Sequence, residues 1–308
     1  MKKNKMAVTR EHDYAKVLPF DEELKSIDQF GWKPFSVTKP TSESKQKWKE
    51  VAYFDDGELD IKLDRSIRNS DGVGKMSEFH AGVCETIVRY WSLKGARVVD
   101  PFAGRVTRAT VTTLLDRDYY GYEITPNTYK RSLTHFDKHN INPTLYKGDG
   151  CKLEYTEDNF ADLVMTCPPY YDIEQYESCD GQLSDIKGYD NFMESMNECV
   201  KNVGRVLKPG AFAVFVVADF RRDGELRNFH GDLINQFKNN GMKHWDTIIM
   251  ENISPFAALQ IYKVNCKRFT SKIHEYILVF RKPGEYVVPD YCSVDIPQQT
   301  QKLNQFFE

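Results

Sequence analysis

The sequence predicts an α/β fold in which a mostly parallel sheet carries helices on both faces. From about residue 76 onwards, short apolar runs typical of buried strands alternate with segments whose apolar residues recur at helical spacing. Alternation of this kind is typical of parallel sheets that are covered on both sides. Three successive runs also end in or beside an acidic residue, and ligands of open α/β sheets bind beyond the carboxyl ends of the strands.

The predicted elements follow one another in a regular order. Helices are predicted over residues 79–91, 105–117, 126–139, 189–210 and 228–241. Strands are predicted over residues 96–102, 118–124, 144–149, 161–166, 211–220, 244–251 and 274–282. Pro126 suits the first turn of its helix, and Pro209 with Gly210 is expected to stop the longest helix.

Composition divides the chain into three parts. Residues 1–75 are polar and charged, and they are predicted to form an N-terminal extension with one amphipathic helix over 42–54. Residues 76–285 form the predicted folded domain, and residues 286–308 form a C-terminal tail. No apolar run approaches the length of a membrane span, and no apolar stretch follows the basic start, so neither a membrane segment nor a secretory signal is expected.

Composition also disfavours several kinds of site. The seven cysteines are scattered without a CxxC pair, which favours free thiols in a reducing compartment over a zinc or redox motif. His135 and His139 share one helix face without a third ligand nearby, so no metal is predicted. The net charge of −3 is untypical of a bulk nucleic-acid binder, so local basic clusters must supply any phosphate contacts.

The strand over 96–102 leads into the stretch Asp100-Pro101-Phe102-Ala103-Gly104. A glycine in a strand-to-helix turn lets a ligand approach the backbone closely. The single glycine does not make the GxGxxG pattern, and an acid disfavours a diphosphate cofactor such as NAD. A cationic cofactor, S-adenosylmethionine, suits the stretch better, with Asp100 near its amino-acid end and Gly104 beside its adenosyl part. The alternative is that DPFAG is only a strand-ending turn.

Acidic residues also end the next two predicted strands. Glu123 lies about 20 residues beyond the glycine turn, where Rossmann-type sheets keep the acceptor for the ribose hydroxyls. Asp149 stands between two glycines and is placed to accept a hydrogen bond from an adenine amino group, although such a residue alone more often caps a turn. Three acids at three successive strand ends favour one nucleotide site over three coincidences.

A second motif, Thr166-Cys167-Pro168-Pro169-Tyr170, follows the strand over 161–166. Two consecutive prolines cannot continue a central strand, because each removes a backbone donor and fixes φ. The strand must therefore end here, and the chain leaves it in a stiff turn that presents Cys167 and Tyr170 at the carboxyl edge of the sheet.

Together these motifs resemble those of the DNA amino-methyltransferases, which methylate cytosine N4 or adenine N6. Across residues 76–285, DPFAG resembles the family's first cofactor motif, TCPPY its catalytic (D/N/S)PP(Y/F/W) motif, and LKPGAFAVFVVAD the helix end and strand that follow. SEFHAGVCETIVRYW stands where the family keeps the helix that closes over the methionine part of the cofactor. PFSV and TCPPYYDIEQYES are similar to segments of phage and prophage DNA methylases.

The resemblance implies a Rossmann-like methyltransferase fold with a seven-stranded sheet. It implies S-adenosylmethionine as the cofactor and double-stranded DNA as the partner, with no membrane and no metal involved. It also implies the cytoplasm of a bacterial or phage-infected cell, a link to restriction–modification, and a homodimer as one assembly open to the chain.

The resemblance assigns roles to the four residues of the catalytic motif. An exocyclic amine is a poor nucleophile, and acceptors at the Cys167 side chain and the Pro168 carbonyl would localise its lone pair, with Pro169 holding that carbonyl rigidly. Tyr170 would stack on a base flipped out of the duplex. Cysteine departs from the Asp, Asn or Ser of the family and is a weak acceptor. It is nearest to serine in shape, which slightly favours cytosine N4 over adenine N6.

DNA contacts are predicted for the segment 252–274, where an aromatic residue is interleaved with cations. The residues concerned are Lys263, Lys267, Arg268 and Lys272. An ordinary solvated loop is the alternative.

Other functions stay open on the sequence. The same transfer to RNA or protein would use the same motif, and a catalytically silent DNA-binding protein on this fold would explain Cys167. A covalent role for Cys167, as in pyrimidine C5 methylation, is disfavoured because here the cysteine precedes two prolines.

Overall fold

A computed structural model describes residues 36–54, 78–173, 176–251 and 266–293. The strands are β1 Val37–Thr38, β2 Arg97–Asp100, β3 Asp118–Glu123, β4 Thr144–Lys147, β5 Ala161–Thr166, β6 Leu207–Val217, β7 Phe220–Arg222, β8 Glu225–Arg227, β9 Lys243–Glu251 and β10 His274–Arg281. The helices are α1 Ser42–Lys47, α2 Ala81–Trp91, α3 Thr107–Leu114, α4 Pro126–Lys138, α5 Tyr189–Val206 and α6 Phe229–Asn239.

Eight of the described strands form one sheet in the order β1-β9-β10-β6-β5-β2-β3-β4. Strands β2 to β6 pair in parallel, whereas β10 runs antiparallel to both β6 and β9. Seven of the eight are the predicted strands, and β1 extends the sheet at the β9 edge. The predicted fold class, a Rossmann-like α/β fold with a mostly parallel sheet and helices on both faces, is confirmed.

The strand order reverses between β2 and β5, which are hydrogen-bonded neighbours in the middle of the sheet. Chain segments leaving these two strands turn to opposite sides and open a crevice at their carboxyl ends, which is where ligands of such sheets bind. DPFAG follows β2 and TCPPY follows β5. The topology therefore brings the two sequence motifs to one place.

Helices cover both faces of the sheet because each presents one apolar stripe. Helices α5 and α6 pack on one face through buried residues that include Phe192, Val200 and Phe229. Helix α2 packs on the other face through Ile87 and Val88. The sheet is thus buried on both sides, in keeping with the continuous apolar runs of its central strands.

Two local predictions were wrong in detail. Pro209 and Gly210 do not stop α5, because the helix ends at Val206 and both residues lie inside β6. Leu207 already has an extended backbone with ψ of 140°, and Gly210 takes a φ of 75° that suits glycine alone. The helix predicted over 42–54 ends at Lys47, because Trp48 leaves the helical conformation with ψ near 0°.

The described part of the predicted N-terminal extension, residues 36–54, packs on the domain. The Trp48 indole Nε1 donates to Glu85 Oε2 at 2.7 Å, and Lys47 Nζ lies 2.8 Å from Glu85 Oε1. Glu85 is fully buried on α2 and also pairs with Arg89. A buried carboxylate needs such partners. The contacts of Lys47 and Trp48 with Glu85, here called the clasp, therefore hold the segment against α2. The domain boundaries themselves stay predictions.

Among the described helices, none combines the length and the apolar composition that crossing a membrane requires.

Candidate active site

A cavity of about 590 Å³ opens along the carboxyl ends of the central strands. Its volume falls within the range of small-molecule sites. Both motifs line it: Pro101, Phe102 and Gly104 on one side, and all four residues from Cys167 to Tyr170 on the other. Glu123 and Asp149 line it as well. The structure therefore gathers the predicted cofactor and catalytic residues around one cavity.

Asp100 is the exception among the predicted cofactor residues, because it lies behind the cavity wall. Its carboxylate is fully buried and accepts hydrogen bonds from Arg108 Nε at 2.7 Å, Tyr119 OH at 2.8 Å and Thr166 Oγ1 at 2.6 Å. The backbone N–H of Phe102 donates to it at 3.1 Å. With these donors in place, Asp100 shapes the DPFAG loop and joins it to the strand that carries TCPPY.

Arg108 on α3 is a site residue that the sequence did not reveal. Besides its ion pair with Asp100, the guanidinium donates to the carbonyl oxygens of Phe102 and, at 3.2 Å, of Ala103. These contacts hold the loop carbonyls away from the ligand side. Arg108 lies in the first turn of α3, which follows the loop of residues 101–106, and no short motif encodes this spacing of eight residues from Asp100.

Two glycines let the backbone form the cavity wall. Gly104 has a φ of 55°, which favours glycine, and a Cβ there would lie in ordinary contact, 3.7 Å, with the Phe102 carbonyl oxygen. A Cβ on Gly150 would lie 1.6 Å from the Pro101 carbonyl oxygen, so this position admits only glycine. The loops after β2 and β4 can therefore close on each other and still leave room for a ligand.

Glu123 ends β3 as predicted and lines the cavity. Thr125 donates to Glu123 Oε1 through its backbone N–H at 2.6 Å and also through its hydroxyl. Burial raises the pKa of the Glu123 carboxyl, and the hydrogen bonds from Thr125 and from the Gly104 backbone partly counter that rise. The carboxylate is thereby fixed in orientation at the rim of the crevice.

Asp149 follows β4 and also lines the cavity. Its Oδ1 accepts the backbone N–H of Cys151 at 2.9 Å, which is the turn-capping contact expected of this residue type. Its Oδ2 lies 3.4 Å from Lys152 Nζ and 3.5 Å from the place of a Cβ on Gly181. Asp149 therefore caps a turn and also lines the cavity, and its contact with an adenine amino group stays a prediction.

In the catalytic motif, Cys167 Sγ lies 3.4 Å from Tyr170 OH. Pro168 and Pro169 are buried, and Tyr170 is half-buried beside the cavity. The next residue, Tyr171, has the left-handed φ of 53°, and its ring packs 5.5 Å from that of Phe192 in the core. Tyr170 thus lines the cavity, while the ring of Tyr171 packs among the aromatic residues of the core.

A hairpin of β7 and β8 braces the same loop and was not predicted. Arg222 on β7 forms an ion pair with Asp172, two residues beyond Tyr170. Phe220 stacks on Tyr171 with ring centroids 6.2 Å apart. Strands of three residues are too short for their periodicity to be recognised in sequence.

The predicted DNA-binding residues divide into three cases. Lys267 and Arg268 are exposed, whereas Lys272 pairs with Asp219 at 3.4 Å. Asp219, which follows β6, is buried and also accepts from His230 Nδ1 at 2.7 Å. Lys263 lies outside the described residues.

The two histidines considered as metal ligands have structural partners. His135 Nε2 lies 2.8 Å from the Val51 carbonyl oxygen, and its ring packs on that of His139. Across the described part of the chain, no group of three or more His, Cys, Asp or Glu side chains is arranged to hold a metal ion.

The fold is a mostly parallel, Rossmann-like α/β sheet, and the two sequence motifs follow neighbouring strands, β2 and β5. A family model described as DNA methylase matches residues 161–306, a segment that begins with β5 and contains TCPPY. The match covers just under half of the chain. The predicted resemblance to DNA amino-methyltransferases is confirmed.

Several solved structures are similar to this chain. TrmN from Thermus thermophilus has 12% identity, with 66% of this chain and 49% of TrmN covered and a TM-score of 0.47. A SAM-dependent methyltransferase from Methanosarcina mazei has 11% identity, with 65% and 98% covered and a TM-score of 0.46. A candidate DNA modification methylase from Thermus thermophilus, complexed with S-adenosyl-L-methionine, has 26% identity, with 51% and 62% covered and a TM-score of 0.34.

The chain thus spans about half the length of TrmN and under two thirds of the Thermus DNA modification methylase. Among curated proteins, none matches the sequence.

Proposed function

We propose that this protein is a DNA methyltransferase that uses S-adenosylmethionine to methylate an exocyclic amine of a flipped base. The observation that carries the proposal is the cavity at the reversal of strand order, which the DPFAG loop and the TCPPY motif line together. Methyl donor and acceptor must meet within bonding reach, and this cavity is where the two motifs meet. The DNA methylase match over residues 161–306 supports the same conclusion.

The residues of the cavity fit S-adenosylmethionine. The left-handed backbone at Gly104 and the close approach of Gly150 to the Pro101 carbonyl shape the cavity wall beside which the adenosyl part would lie. Glu123 stands at the end of β3, where a ribose diol finds its acceptor, and Asp149 stands at the end of β4 on the same side. A diphosphate beside two carboxylates would be unfavourable, whereas the positive charge of a sulfonium cofactor is favoured there.

S-adenosylmethionine, held beside Gly104, Glu123 and Asp149, would supply an electrophilic methyl group for the target amine, which would give up one proton to solvent. The protein positions the amine. The Pro168 carbonyl, stiffened by Pro169, accepts one amine hydrogen, and Tyr170 stacks on the base. Cys167, weak as an acceptor, contacts the Tyr170 hydroxyl and helps to set that ring.

We favour cytosine N4 slightly over adenine N6, because cysteine is closest in shape to the serine form of the motif. The exposed Lys267 and Arg268, with Lys263 and Lys272 of the same segment, are proposed to contact DNA phosphates. We further place the enzyme in the cytoplasm of a bacterial or phage-infected cell, in restriction–modification or phage DNA modification, with a homodimer as one assembly open to it.

The first test is nucleoside mass spectrometry of DNA from cells that express the chain, beside cells that express Tyr170→Ala. We expect N4-methylcytosine in the first sample and its loss in the second, because the stacking platform is gone. N6-methyladenine instead would keep the function and change the base. No methylated nucleoside in DNA would overturn the proposal and favour an RNA or protein acceptor, or a silent DNA-binding protein.

A further inference from the structure

The cavity does not end at TCPPY. Beyond that motif it continues over the next strands of the sheet, where Val216 of β6, Met250 of β9 and Glu275 of β10 line it. The cofactor residues of the proposed function, Glu123 and Asp149, lie on the opposite side of TCPPY. The cavity therefore has two arms, here called the cofactor arm and the acceptor arm, with the catalytic motif between them.

The register of the strands shows what the acceptor arm presents. Ile277 pairs with Val216, and Glu275 pairs with Met250, so alternation places all four side chains on one face of the sheet. Cys167 packs against the same apolar cluster. Val216 and Met250 are buried and form an apolar floor. Glu275 stands at the rim of that floor, on the face that Cys167 also shares.

A floor of this kind suits a flat, uncharged ring. Two strand spacings, roughly 10 Å, separate β5 from β10, which leaves room for a base and one glutamate side chain. A carboxylate at the rim repels phosphate and accepts hydrogen bonds from amines. The Watson–Crick edges of adenine and cytosine both present an amine with two hydrogens.

The acceptor arm also carries a strong hydrogen-bond acceptor, which the TCPPY motif lacks at position 167. Position 167 carries cysteine, a weak acceptor, where an amine hydrogen needs a strong one. The Pro168 carbonyl serves only one of the two amine hydrogens. Glu275 brings a charged acceptor to the same face of the sheet, and hydrogen bonds to charged groups are the stronger kind.

We propose that Glu275 is a further catalytic residue, which accepts the second hydrogen of the target amine in place of the acceptor that Cys167 lacks. This proposal rests on the proposed function, and it adds a base pocket formed by β6, β9 and β10. Glu251 also lines the arm, but it is the cross-strand neighbour of His274 in the sheet register. Its side chain therefore lies on the other face of the sheet. Its carboxylate is not part of the proposal.

The test compares single-turnover methylation of duplex DNA by the parent, Glu275→Gln and Glu285→Gln, the last being an exposed glutamate outside the cavity. Glu275→Gln should slow the reaction about 10-fold, because a neutral amide oxygen replaces the charged acceptor and forms the weaker hydrogen bond. Its affinity for S-adenosylmethionine, measured by titration calorimetry, should change less than about twofold. The control variant Glu285→Gln should keep the parent rate.

A double-mutant cycle separates this role from a structural one. Cys167→Asn restores an acceptor at position 167, so Glu275→Gln should cost distinctly less in that background than in the parent. Equal costs in both backgrounds would overturn the proposal, and so would a parent rate in Glu275→Gln. Weaker cofactor binding in Glu275→Gln would show that the carboxylate serves the cofactor instead. If the parent itself does not methylate DNA, the proposed function fails, which is a distinguishable result.

Discussion

Asp100 shows how much a single buried side chain organises in this protein. Its carboxylate receives donors from β3, from α3, from its own loop and from the end of β5. Thr166 directly precedes Cys167. The DPFAG loop and the TCPPY motif therefore share one hydrogen-bond network. The charge of Asp100 is balanced by the buried guanidinium of Arg108, which is the condition for burying either group.

Replacement of Asp100 by Asn should therefore reduce the stability of the fold. The amide keeps the shape but leaves the Arg108 charge buried without its counterion, which costs about 3–5 kcal/mol in the free energy of unfolding. Urea denaturation followed by circular dichroism measures this loss. Asp118→Asn, at an exposed carboxylate on β3, is the matched control. A loss in Asp100→Asn no larger than in the control would contradict the role given to the ion pair.

At this scale the sequence predicts which residues reach the site better than it predicts what they do there. Glu123 and Asp149 could be placed because each ends a strand, and the carboxyl edge of a parallel sheet is one surface. The orientation of Asp100 could not, because its partners Arg108 and Tyr119 stand eight and 19 residues further along the chain. Only the packing of α3 and β3 against β2 brings them together.

At the scale of elements, helix α2 begins beside the cavity and depends on an unusual cap. His80 is its N-cap residue, and His80 Nδ1 accepts the backbone N–H of Gly82 at 3.1 Å. An imidazole can accept there only while that nitrogen carries no proton. Burial, and then the charge of Lys45, lower the pKa of His80 from its ordinary 6.5 to about 4.

This cap should make stability depend on pH. Since the pKa is lower in the folded state than in the unfolded state, the unfolded chain binds more protons between pH 6.5 and about 4. The contribution is complete above pH 6.5 and is lost as the pH falls toward 4. We expect His80→Asn, which caps without titrating, to flatten the pH dependence of the free energy of unfolding in this window. His244→Asn, at an exposed histidine, should leave the slope unchanged.

The elements themselves were largely predictable, because long apolar runs and helical periodicity survive in the sequence. The boundary between α5 and β6 was not, since Pro209 and Gly210 look like a helix stop but are absorbed into a strand with an irregular register against β5. The hairpin of β7 and β8 escaped because its strands have three residues each. Local signals of this size yield to tertiary packing.

For the molecule as a whole, the clasp between the N-terminal segment and α2 should carry a large share of the stability. Trp48→Ala removes a buried indole and its hydrogen bond to Glu85, and a loss of about 3–5 kcal/mol in the free energy of unfolding is expected. Chemical denaturation measures it. Trp245→Ala is the matched control, because that indole is 47% exposed on β9. Equal losses would show that the segment adds little to the fold.

The two arms of the cavity are formed by different strands of the sheet. In the proposed function, strands β2, β3 and β4 would hold one reactant and strands β6, β9 and β10 would face the other, with β5 and TCPPY between them. Because the sheet is rigid, the distance between these two groups of strands does not depend on the sequence of the loops that follow them. Changes at the ends of β6, β9 and β10 can therefore exchange one acceptor for another, while the methyl donor stays where it is.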